Sequence, residues 1–194
     1  QLERAALLDA GALRRSGLPE DPIALLVSIS TVAEAVESQG AALERLAARQ
    51  GGRTAPLVDA AWAALGGAVD GPILLRLAAE PRRLLDWVAQ AQAAGSHASV
   101  ETAVLAQPGN GVLQVSIRRA ADPTRLVESL LRPLRSAIEA EGGSLVLERA
   151  PASLKNQFEV WGSIGPELLD IMGRIKREFD PHEVLSPGRF VGRL

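Results

Sequence analysis

Residues 98–118 read ASVETAVLAQPGNGVLQVSIR, two extended stretches on either side of a turn that runs from Gln107 to Gly111. The turn holds proline, asparagine and two glycines, the residues that tight hairpins select for their backbone angles. On the second stretch Leu113, Val115 and Ile117 alternate with Gln114, Ser116 and Arg118. Successive side chains of a strand point to opposite faces, so the first set meets a core and the second turns away from it. The same strand-then-helix unit recurs on both sides. PILLRLA, residues 72–78, sets Ile73, Leu75 and Leu77 against Arg76 and leads into a helix from Glu80-Pro81 to about residue 94. PIALLVSIS, residues 22–30, sets Ile23, Leu25, Val27 and Ile29 against Ser28. It leads into a helix with Thr31 as N-cap and Glu34 three residues on, ending near Gly51-Gly52.

After the hairpin, Asp122 as N-cap and Pro123 at the first helical position open a helix that runs to about Glu141. Gly142-Gly143 stop it, and Ser144 to Arg149 forms the last strand. A shorter helix over 57–65 separates the first two units. This order contains both halves of a split βαβ arrangement, and its alternating strands imply one helix-covered and one polar face. The fold class expected is α+β, a ferredoxin-like sheet with helices on one face, over residues 1–160. Residues 161–194 are expected to form a helix and tail that pack back on it or on a neighbouring domain. Leu168, Met172, Ile175 and Phe179 make one apolar stripe on that helix, and Asp180-Pro181 ends it.

Composition removes whole classes of function. The 194 residues carry a net charge of −2, no cysteine and two histidines. Disulfides, thiolate metal sites and thiol nucleophiles are excluded, as are most histidine-built metal centres. No apolar run reaches the roughly 20 residues of a membrane span, and no secretory segment is expected. A nucleic-acid partner is not expected, since the charge is negative and the strands lack stacking aromatics.

Arg76, Gln114, Arg118, Ser28 and Ser116 project from the polar face. They read as a solvated surface, or as one that covers another domain or an anionic ligand. His97 and His182 read as solvated loop residues. Trp62 and Trp87 read as core, and Trp161 as an interface residue. Gly66-Gly67 and the hairpin glycines read as turns, since neither follows a strand and opens a helix as a phosphate site requires.

The C-terminal stretch IMGRIKREFDPHEVLSPGRFVGRL, residues 171–194, resembles the ending of FAD-linked oxidases, the family of D-lactate, D-2-hydroxyglutarate and glycolate oxidising enzymes. The matching positions are Met172, Ile175, Lys176, Phe179, Asp180, Pro181, Leu185, Pro187, Gly188 and Arg189. The ending Pro187-Gly188-Arg189-Phe190-Val191-Gly192 resembles that of the FAD-binding subunit of bacterial glycolate oxidase. The resemblance implies a ferredoxin-like cap over a flavin held mainly by an N-terminal FAD domain that this chain lacks. It implies oxidation of a small 2-hydroxy acid, with an iron–sulfur subunit of a glycolate oxidase complex as electron partner. The location implied is cytoplasmic, at the inner membrane through that complex.

Catalytic members carry His-x-Gly-Asp-Gly-Asn-x-His at the hairpin, where the histidines ligand a metal. Ala106 and Leu113 take those two positions here, so no metal is expected. They also carry Gly-Gly-x-x-x-x-Glu-His, which here becomes Gly142-Gly143 leading to Glu148-Arg149. The residues implied in catalysis are therefore Arg149 and Glu148. Ser186 and Arg189 are implied at the cofactor, and Arg76, Gln114, Arg118 and Trp161 at the substrate or the neighbouring domain. The alternative is a freestanding ligand-binding or dimerisation module. Arg149 shares parity with Leu145 and Leu147 and reaches the polar face only if its strand bulges or ends.

Overall fold

The computed structural model describes residues 2–118 and 122–194. Its strands are β1 (Leu2–Asp9), β2 (Ile23–Ile29), β3 (Ile73–Ala78), β4 (Thr102–Gln107), β5 (Val112–Ile117) and β6 (Ser144–Arg149). Its helices are α1 (Ala10–Arg15), α2 (Ala33–Arg49), α3 (Ala60–Ala68), α4 (Leu84–His97), α5 (Pro123–Leu126), α6 (Arg132–Ala140), α7 (Ala152–Lys155) and α8 (Pro166–Phe179). The strands form one sheet in the order β2-β1-β4-β5-β3-β6, with every neighbouring pair antiparallel.

The block β4-β5-β3-β6 with α4 and α5–α6 is the ferredoxin-like unit expected. On its covered face Ile73, Leu75, Leu77, Leu113, Val115, Ile117, Leu145 and Leu147 pack under Trp87, Leu130 and Ile138, all buried. Each large apolar side chain buried this way contributes about 1.5–3 kcal/mol. Asp122 caps α5, accepting the Thr124 N–H at 2.9 Å. Between α5 and α6 the chain widens into a π turn, Val127–Leu131. Pro133, at the start of α6, explains it: proline has no N–H to donate and its ring crowds the preceding turn.

The expectation of helices on one face is corrected at the other end of the sheet. Two elements that the sequence pattern does not announce, β1 and α1, extend the sheet and cover its second face. Ala6, Leu8, Leu26 and Ala103 pack there against Ala12 and Leu13 of α1 and Ala68 of α3. β2 therefore buries the opposite side from the one its pattern suggests. Leu26 is buried, whereas Ile23 and Leu25 are exposed, because β2 lies beyond the reach of α4 and α6. Ser116 is corrected for the same reason. It is fully buried, donating to the Asp70 carbonyl at 3.0 Å and accepting from Arg15 Nη1 at 3.1 Å.

Two smaller differences follow from local geometry. α2 begins at Ala33 behind an extended Val32, with no side-chain cap from Thr31. Trp87 is core, but Trp62 is only half-buried, its ring 5.0 Å from the Arg4 guanidinium carbon. His97 and His182 are both exposed.

α8 buries only Gly173, and Leu168, Ile171, Ile175 and Phe179 are exposed. The tail folds back on α8, with Gly192 against Leu169 and Phe190 edge-on to Trp161 at 5.2 Å. Asp180 locks the reversal. Its carboxylate accepts from Lys176 Nζ at 2.5 Å, Val184 N–H at 2.9 Å and Leu185 N–H at 3.0 Å. The Lys176 ammonium, ahead of the two backbone donors, holds this carboxyl below the ordinary carboxylate range, against the opposing push of burial. A depressed folded-state pKa stabilises the tail fully above the unfolded value of about 3.9, and that stabilisation is lost as pH falls through the folded pKa. Amide protection of Val184 and Leu185, corrected for intrinsic exchange, should therefore fall only on strong acidification. Asp180→Asn should lower that protection already at neutral pH.

Candidate functional site

The hairpin that opens the reading is anchored to the rest of the sheet. Asn110 Oδ1 accepts the Val112 N–H at 3.1 Å, and the Gly111 carbonyl accepts the Ala79 N–H at 2.9 Å. Gly111 has φ +71°, and a Cβ there would lie 1.9 Å from the Ala79 oxygen, so only glycine fits. This contact holds β5 beside β3, where Gln114 and Arg76 face each other across the ladder.

β6 then supplies the irregularity that Arg149 needs. Leu75 pairs with Leu147, but Leu74 pairs with Arg149, so Glu148 and Arg149 share one step of β3. This bulge moves Arg149 off the parity of Leu145 and Leu147 and onto that of Leu74 and Arg76. Glu148 lies on the same side: Arg76 Nε is 2.8 Å from its Oε1, and Gln114 Nε2 is 3.5 Å from its Oε2. Arg149 Nη1 donates to the Gly71 carbonyl at 2.8 Å. The stem of Arg118 reaches the same glycine, its Cγ lying 3.7 Å from where a Gly71 Cβ would be.

Beneath them Arg15 is sequestered, donating to Ser116 and to the Glu101 carbonyl. Burial presses its pKa below the usual arginine value, the nearby Arg118 charge adds to this, and Glu101 opposes it. The face thus joins Arg76, Gln114, Arg118, Glu148 and Arg149, with Arg118 and Arg149 both exposed. Clustered guanidinium groups on an open surface suit a carboxylate or other planar oxyanion.

Ser186, Arg189 and Trp161 belong to a second place. Ser186 and Arg189 line an open hollow of about 430 Å³ with Met172, Ile175, Lys176 and Leu185. Trp161 follows Val160, whose carbonyl accepts the Leu147 N–H at 2.8 Å along the edge of β6. The tryptophan then meets Phe190 of the tail. Among the described residues no hydrogen bond or ion pair joins the hollow to the arginine face.

A family model described as FAD linked oxidases, C-terminal domain, matches residues 9–190. The chain belongs to this family. Comparison with curated proteins returns no match. As a FAD-linked oxidase C-terminal domain, the chain is part of an oxidoreductase family that works with FAD.

Among the described residues, neither glycine stretch makes the helix-opening turn that cradles a pyrophosphate. A pyrophosphate is held where a glycine turn opens a helix and its free N–H groups. Gly66 and Gly67 instead lie in the last turn of α3, the negative end of a helix, and the Gly111 turn is closed against Ala79.

The structure also corrects the placement of the two hairpin histidine positions. Ala106 and Leu113 are direct cross-strand partners, and both are fully buried in the helix-covered core. No side chain at either position faces the arginine surface. Shifted by one residue, the motif sets Gly109-Asn110-Gly111 on its Gly-Asp-Gly and places Gln107 and Gln114 at the histidines. Both then share the parity of Ala103 and Leu105, away from that core. Gln107 Oε1 accepts from Asn110 Nδ2 at 2.8 Å within the turn, and the better glycine match was the signal in the sequence for this register.

Proposed function

We propose that this C-terminal domain is the cap of a FAD-dependent 2-hydroxy-acid oxidoreductase acting on glycolate. In this reading the FAD-binding domain lies outside this chain, and an iron–sulfur subunit takes the electrons. The observation that carries the reading is the bulge at Glu148-Arg149, which sets Arg149 beside Gly71 and Arg118 on the open sheet face. With one nitrogen fixed on the Gly71 carbonyl, Arg149 still has N–H groups to hold the substrate carboxylate. Glu148, tied to Arg76 and Gln114, keeps the surrounding side chains in place.

FAD supplies the two-electron acceptor when bound; the residues here bind and orient the acid. The exposed apolar residues of α8 support a covering domain, because a contiguous apolar surface marks a contact. The test is anaerobic titration of the flavin-loaded protein with glycolate, D-lactate and D-2-hydroxyglutarate. Bleaching of the oxidised flavin bands, fastest with glycolate, is expected. No bleaching with any of the three acids overturns the reading.

A further inference from the structure

The metal that the family resemblance implies does not fit the residues placed here. Gln107 and Gln114 offer neutral amides in place of imidazoles, which suit divalent transition metals far better. The carboxylate on this face, Glu148, already has a cation against it, since Arg76 Nε lies 2.8 Å from Oε1. Gln114 Nε2 is turned toward the other oxygen at 3.5 Å. A metal ion on Glu148 would sit next to a guanidinium, and like charges in contact repel.

We infer that Arg76 is the resident cation of this site, occupying the charge position that a divalent metal takes in relatives with two histidines. Three placements carry this. Arg76 is the direct cross-strand partner of Gln114. Alternation along β6 sets Glu148 on the face of Val146, the direct partner of Arg76. Glu148 is engaged at both oxygens, Oε1 by Arg76 and Oε2 by Gln114, which ties the pair to two strands. Only Nε of Arg76 is engaged among the described residues, so its terminal nitrogens remain to meet a ligand oxygen. Where a metal would polarise that oxygen as a Lewis acid, the guanidinium donates N–H groups to it. Unlike a metal, this cation is not removed by chelation. Nothing in the pair depends on which acid the enzyme oxidises.

Zinc binding tests it, measured by calorimetry on the intact protein as the difference from wild type. Two variants are compared, Gln107→His/Gln114→His and the same pair with Arg76→Gln, each checked for native circular dichroism. The triple variant should gain one zinc per chain, at least tenfold tighter than the double variant, because the competing cation is gone. Equal zinc affinity in the two variants overturns the assignment, as does stoichiometric zinc held at this face by the wild type. If Arg76→Gln does not fold, Arg76→Met and Arg76→Lys in the double-histidine background carry the comparison. The methionine protein should bind zinc and the charge-retaining lysine protein should not, and equal behaviour overturns the assignment.

Discussion

Arg149→Ala in the flavin-loaded protein should lower kcat/KM for the 2-hydroxy acid by about 10²–10³-fold, the usual cost of truncating one partner of a desolvated, hydrogen-bonded charge pair, here with the substrate carboxylate. The fold should survive. Arg149 is exposed, and its side chain makes one hydrogen bond among the described residues, to the Gly71 carbonyl, so stability should change by no more than about 1 kcal/mol. Arg149→Lys should recover only part of the loss, because an ammonium keeps the charge but not the two-pronged geometry. Arg45, exposed on α2, is the control, and its replacement by alanine should leave the rate unchanged. Equal rates for wild type and Arg149→Ala, both flavin-loaded, would remove Arg149 from the site.

Asp9→Ala should destabilise the domain by about 2–4 kcal/mol, a cap loss of about 1 plus the cost of an orphaned buried donor. The carboxylate of this buried residue ends β1 and begins α1. One oxygen accepts the Ala12 N–H at 2.8 Å and the Val104 N–H at 2.9 Å, and the other accepts Gln92 Nε2 at 3.2 Å. It therefore ties α1, α4 and β4 together at the point where the two cores meet. Val104 is fully buried, so its N–H finds no water when the carboxylate is removed. Urea melts should show a lower midpoint with an unchanged slope. Asp9→Asn, which keeps one acceptor oxygen, should lose less. A midpoint within error of wild type for Asp9→Ala would show that α1 does not hold this end of the sheet.

Local signals in the sequence were sufficient for β2 to β6, for α4, for the cap of α5 at Asp122 and for the end of α8 before Pro181. Each rests on residues adjacent in the chain: alternation along a strand, an N-cap with its proline, a proline that bars the helical conformation of its predecessor. β1 was not legible, because LERAALLD is built from good helix formers and becomes a strand only through its pairing with β2 and β4. The stripe on α8 was legible as a pattern, but its exposure was not, since a period states which residues align and not what covers them.

The candidate site divides in the same way. That Arg76, Gln114 and Arg118 share one face follows from strand parity, and the sequence by itself determined it. The meeting of Arg149 with Gly71 and Arg118 was decided only by the tertiary structure. The bulge that turns Arg149 is a mismatch between β6 and β3, and no single strand contains it. The hairpin shows the same division in one motif. Its turn residues are written in the chain, but which of two adjacent registers faces the site is settled by the core that buries Ala106 and Leu113. Parity reverses with a shift of one residue, and only the packed opposite face shows which parity points inward.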